Sequence, residues 1–104
     1  MSKIELLYFH DCPNWENALE LFERVLKDLN INEEIHPYKV ESDEEATKRK
    51  FTGSPLFYID GQDLFPSEQE NYFLGCRVYP TSKGFRGMPE YEVLRTAVQK
   101  ALKL

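Results

Sequence analysis

In Tyr8-Phe9-His10-Asp11-Cys12-Pro13-Asn14-Trp15 a strand pattern gives way to a helix pattern within a few residues, with a cysteine at the changeover. Upstream, residues 3–9 (KIELLYF) are rich in β-formers and apolar on both alternating faces, the pattern of a central strand covered by helices on both sides. Downstream, Trp15, Ala18, Leu19, Phe22, Val25, Leu26 and Leu29 recur at spacings of three and four, which predicts a helix over 13–30 with one apolar stripe. Proline is favoured at the first helical position, so Pro13 fits there and Cys12 becomes the expected N-cap residue.

Working outward, residues 33–40 carry Ile35, Tyr38 and Val40 between polar side chains, and Pro37 suits an edge strand. Ser42 and Glu45 match a capping box opening a short helix to about residue 50, and the charge run 41–50 reads as its solvated face. Gly53-Ser54-Pro55 precedes the compact strand Leu56-Phe57-Tyr58-Ile59, which ends at the tight-turn signal Asp60-Gly61. A hairpin should follow, with residues 62–65 and 76–79 both open as its return strand. Residues 65–75 read as an insertion in which Ser67 and Glu70 cap one helical turn. After a loop at 84–87, Pro89, Tyr91, Leu94, Ala97, Val98, Ala101 and Leu102 mark a C-terminal amphipathic helix. The order β-α-β-α-β-β-α predicts an α/β fold, a mixed four-stranded sheet with helices on both faces.

A chain of 104 residues with 41% apolar and 30% charged content suits one modest core, so residues 1–104 are expected to form a single domain. The net charge of -5, from 18 acidic and 13 basic residues, offers no footprint for a nucleic-acid backbone or an anionic membrane. The apolar run 4–9 contains Glu5, falls far short of the roughly 20 residues that span a bilayer, and lacks a basic flank and cleavage site. A cytoplasmic location is the resulting expectation. Cys12 and Cys76 are too few for a disulfide-built secreted scaffold, which leaves each thiol a redox or a structural role.

The strand ending in Tyr8-Phe9, the Cys12-Pro13-Asn14-Trp15 segment opening a helix, and Gly53-Ser54-Pro55 before a later strand together resemble the thioredoxin and glutaredoxin superfamily. Trp15 stands where glutaredoxins often carry a second cysteine, so the chain looks like a monothiol member, similar to small bacterial thioredoxin-like proteins with a Cys-Pro-Asn-Trp segment. The resemblance implies a thioredoxin-like fold, with Cys12 as nucleophile, Pro55 as a cis-proline facing it, and the Ser54 backbone pairing with an extended peptide or glutathione. It implies no bound cofactor, with glutathione as an optional thiol co-substrate and a protein disulfide or low-molecular-weight thiol as partner. Pro13, Trp15, Ser54, Pro55 and Arg77 are the expected substrate-binding residues. No metal site is expected, because His10, Asp11 and Cys12 are sequence neighbours without a second ligand cluster.

A thiol at a helix N-terminus meets unpaired N–H groups and the positive end of the dipole, which favour the thiolate. Asp11 opposes this and a protonated His10 supports it. The plain alternative is that Cys12 is a small N-cap in a fold without redox function. Cys76 is the candidate resolving thiol if the insertion folds back across the Pro55 side of the sheet, with Arg77 supplying charge to a thiolate; otherwise it is a buried, inert thiol at the start of a strand. Trp15 either covers the thiol or packs in the core. Tyr58, Tyr72 and Tyr79 add aromatic surface, and His36 is expected to be exposed. Two functions follow: thiol-disulfide exchange through Cys12, or a catalytically silent thioredoxin-fold module that binds a peptide, a thiol ligand or a soft metal.

Overall fold

The computed structural model describes residues 2–66, 72 and 74–104. Its elements in chain order are β1 (Ile4–Tyr8), α1 (Trp15–Asp28), β2 (Ile35–Lys39), α2 (Asp43–Lys48), β3 (Leu56–Ile59), β4 (Gln62–Asp63), β5 (Tyr79–Thr81), β6 (Gly84–Arg86) and α3 (Tyr91–Ala101). Four strands form one mixed sheet in the order β2-β1-β3-β4, with β1 parallel to β2 and antiparallel to β3. The expected α/β class and four-stranded mixed sheet are therefore observed. Pro37, which has no N–H to donate, lies on the edge strand β2 as its chemistry requires.

The alternation of β1 explains why a core lies on each side of the sheet. Ile4 and Leu6 point with Phe57 and Ile59 toward Phe22 and Val25 of α1 and Leu94 and Val98 of α3. Leu7 points the other way, with Leu56 and Tyr58, toward Val40, Phe51 and Ala46 of α2. Glu5 shares that second face and is only 6% exposed. Arg49 compensates it: a guanidinium nitrogen lies 3.0 Å from the carboxylate while the group stacks 4.2 Å above the Tyr38 ring. Within the charge run 41–50, Arg49 is thus a structural residue and not part of a solvated face.

Each helix closes by the same device. Asn30, Lys50 and Lys103 adopt left-handed backbone, and the next residue's N–H bonds back to the carbonyls of Leu26, Ala46 and Gln99 respectively. Ser42 caps α2 by accepting from the Glu45 N–H at 3.0 Å, while a Glu45 carboxylate oxygen accepts from the Glu41 N–H at 2.9 Å.

Several expected boundaries move. The hairpin return strand is β4, reached through Asp60 (φ 53) and Gly61 (φ 79), both left-handed as a tight hairpin turn demands. Residues 84–87, expected as loop, instead contribute β6 to a small separate hairpin with β5. The helix α1 starts at Trp15 with Asn14 as N-cap, not at Pro13 with Cys12 as N-cap. The first helical bond runs from the Ala18 N–H to the Asn14 carbonyl at 2.9 Å, so the residues before Asn14 belong to the preceding turn. The helical turn expected from Ser67 and Glu70 lies outside the described residues.

Candidate active site at the two cysteines

The turn after β1 places Cys12 by donating the Cys12 N–H to the Phe9 carbonyl at 3.1 Å. Trp15, at the mouth of α1, stacks on Tyr8 with ring centroids 4.1 Å apart and packs against the α1-α3 core, so its main role is packing. Its partner Tyr8 is the last residue of β1, and the stacked pair ties the start of the helix to the end of the strand. Pro13 is exposed beside the thiol. His10 and Asp11 are exposed too and face one another at 4.0 Å.

The Ser54-Pro55 peptide bond is cis, as the resemblance implied. Ser54 is buried, and among the described residues its hydroxyl has no hydrogen-bond partner, so its contribution is made by the backbone. Here the structure departs from the expected open peptide edge. The Ser54 N–H donates to the Gly75 carbonyl at 2.8 Å, and the Arg77 N–H donates to the Ser54 carbonyl at 2.9 Å. Ser54 and Cys76 thereby form a parallel bridge, and the backbone groups assigned to a substrate are taken by residues 75–77 of the same chain.

This strap brings the cysteines together. Cys12 is close enough to bear on the Cys76 thiol. Partial desolvation of the Cys76 thiol, followed by the influence of Cys12, pushes it above the ordinary thiol value. Both thiols are free. Cys12 is buried at 4% exposure, whereas Cys76 is exposed and lies three residues before the start of β5. The alternative of a buried, inert Cys76 at a strand start is therefore not what the fold builds.

Three side chains anchor the strap. Arg77 pairs with Asp63 at 2.8 Å, with the two side chains 13% and 16% exposed, and also donates to the Phe65 carbonyl. Two residues along an extended segment share a face, and the Arg77 guanidinium lies 4.8 Å from the centroid of the Tyr79 ring. The Tyr79 hydroxyl donates to the Pro55 carbonyl, and its ring packs edge-on against Phe57 and Phe65. Burial raises the Asp63 carboxyl above its ordinary value against the pull of Arg77, and burial raises the Tyr79 phenol strongly. Arg77 was expected to lend its charge to a thiolate or substrate; it is committed to Asp63 instead.

Asp63, Gly53 and Tyr79 are the site residues whose roles sequence reasoning missed. Gly53, at φ +140, passes so close to the strap that an added Cβ would sit 2.8 Å from the Arg77 Cβ. The signal present in the sequence was the Arg77-x-Tyr79 spacing, which puts a cation and an aromatic ring on one face of any extended segment. Tyr72 packs in the α2-side core and His36 is exposed. Among the described residues, no group of three or more His, Cys, Asp or Glu could hold a metal ion, and no helix is long and apolar enough to cross a membrane. No protein-family model, curated protein or solved structure matches this chain.

Proposed function

We propose that the chain is a thioredoxin-like thiol-disulfide oxidoreductase in which Cys12 and Cys76 cycle between dithiol and disulfide. The observation that carries this reading is the parallel bridge of Ser54 with Cys76, which sets Cys76 against Cys12 although 63 intervening residues separate them in sequence. The resemblance pointed to a one-cysteine motif; the bridge to Ser54 supplies the second thiol from beside the cis-proline.

The electrostatics suggest the order of events. Desolvation and the neighbouring Cys12 push the Cys76 thiol up, which makes it the weaker first nucleophile, and the first attack is assigned to Cys12, which follows the turn after β1 as the resemblance implied. The Cys12 thiolate attacks one sulfur of a disulfide R-S-S-R, forming Cys12-S-S-R and releasing R-S⁻. Cys76 then gives its proton to solvent and attacks the Cys12 sulfur, forming the Cys12-Cys76 disulfide and releasing the second R-S⁻. The disulfide substrate is the oxidant and both protein thiols are oxidised; an external thiol such as glutathione restores them.

The test is reduction of a small disulfide at the expense of a dithiol reductant, with and without the protein. The wild type is expected to accelerate the reaction and Cys12→Ser to fall to the buffer rate. A wild type no faster than buffer would overturn the proposal and leave a silent binding module as the reading of the fold.

A further inference from the structure

We infer that residues 75–77 are a built-in occupant of the Ser54 backbone, so that the thiol pair accepts low-molecular-weight disulfides and excludes disulfides carried in extended polypeptide. The inference rests on the exchange chemistry proposed above and names its substrate class.

An extended polypeptide that presents a disulfide to Cys12 needs backbone partners beside the thiol. Pro55 has no N–H to offer. Ser54, next to it, has its N–H committed to Gly75 and its carbonyl to Arg77, at 2.8 and 2.9 Å. A competing strand must therefore displace the strap before it can pair. Displacement loses both hydrogen bonds, strips the largely buried Asp63 of Arg77, and pulls at the Tyr79 bond to the Pro55 carbonyl. No second strand fits between the strap and its seat, since even one methyl group on Gly53 would collide with Arg77. A small disulfide needs none of these groups; it has only to reach Cys12, a residue 4% exposed, and a slim reagent does this better than a bulky one.

The experiment uses the full reduced chain and two oxidants, bis(hydroxyethyl) disulfide and a disulfide joining two extended uncharged peptides. The wild type is expected to react with the small disulfide at least about tenfold faster, since the peptide must first break two backbone hydrogen bonds. The double variant Asp63→Asn/Arg77→Gln removes the ion pair without leaving a buried charge unpaired. It is expected to raise the peptide-to-small rate ratio about tenfold, together with faster hydrogen exchange at the Ser54 and Arg77 amides. Gly53→Ala, which pushes the strap off by contact, should change the ratio in the same direction. Equal wild-type rates for the two oxidants would overturn the selectivity while leaving the exchange chemistry standing. So would an unchanged ratio in a folded variant whose amides have lost protection. A wild type oxidised by neither reagent would overturn the exchange chemistry itself, and the selectivity with it.

Discussion

The two cysteines are held in opposite ways. Cys12 is buried, yet among the described residues its own loop is lightly bonded: one turn hydrogen bond to Phe9, an N-cap Asn14 without a side-chain cap bond, and exposed His10 and Asp11. Cys76 is exposed, yet its segment is fastened through Ser54 on the backbone and through Arg77 and Tyr79 on the side chains. Burial of a thiol and rigidity of its loop are thus separate properties in this fold. On the proposed reading, what reaches Cys12 is governed by the anchors of the other cysteine.

The largest expected effect separates the thiols by role. Cys12→Ser should remove exchange altogether, whereas Cys76→Ser should still capture one small thiol as a stable mixed disulfide on Cys12, seen as an added mass on the intact protein. Equal labelling of both positions in the wild type, with no difference between the variants, would erase the distinction.

Next come the anchors. Arg77→Ala leaves Asp63 without its cation in a site where both side chains are largely buried, which should cost about 3 kcal/mol in a denaturant titration. A loss under about 1 kcal/mol would mean that water replaces the guanidinium and that the strap is looser than its bonds imply. Tyr79→Phe deletes the hydroxyl that bonds the Pro55 carbonyl and should cost about 1 kcal/mol. It should also flatten the alkaline limb of the stability curve. Because burial raises the folded-state value of Tyr79, the folded chain keeps a proton that the unfolded chain has lost. That contribution is complete below the unfolded value and is lost as pH rises toward the folded one. An alkaline limb identical in wild type and Tyr79→Phe would assign the effect elsewhere.

The smallest effect probes the contact between the thiols. Cys12→Ala removes its influence on Cys76 but not the desolvation, so Cys76 should titrate lower than in the wild type and still above the ordinary thiol value. Alkylation of Cys76 against pH measures this directly; a titration unmoved by the substitution would place the two thiols out of reach of one another.

How much of this was legible in the sequence differs between the same two regions. The strand-to-helix junction around Cys12 is local, and the periodicities of residues 3–9 and of the Trp15-to-Leu29 stripe gave its elements to within two residues. The helix is two residues shorter at each end, and at its start this is because Pro13 is compatible with a turn as well as with a first helical position. Cys76 is a nonlocal problem. Nothing in Gly75-Cys76-Arg77 states that its partner is Ser54, and the deciding feature at Gly53 is missing bulk, not a recognisable side chain. The hairpin of β5 and β6 was hidden because its strands are three residues each and contain Pro80 and Gly84, residues that ordinarily argue against strands.

The central claim is that Cys12 and Cys76 are partners, and peptide mapping of the oxidised chain tests it most directly. After treatment with excess bis(hydroxyethyl) disulfide and digestion without reduction, the account predicts one linked peptide joining Cys12 to Cys76, with no hydroxyethyl adduct retained on either. Recovery of both cysteines as separate hydroxyethyl adducts, with no linked peptide, would contradict it.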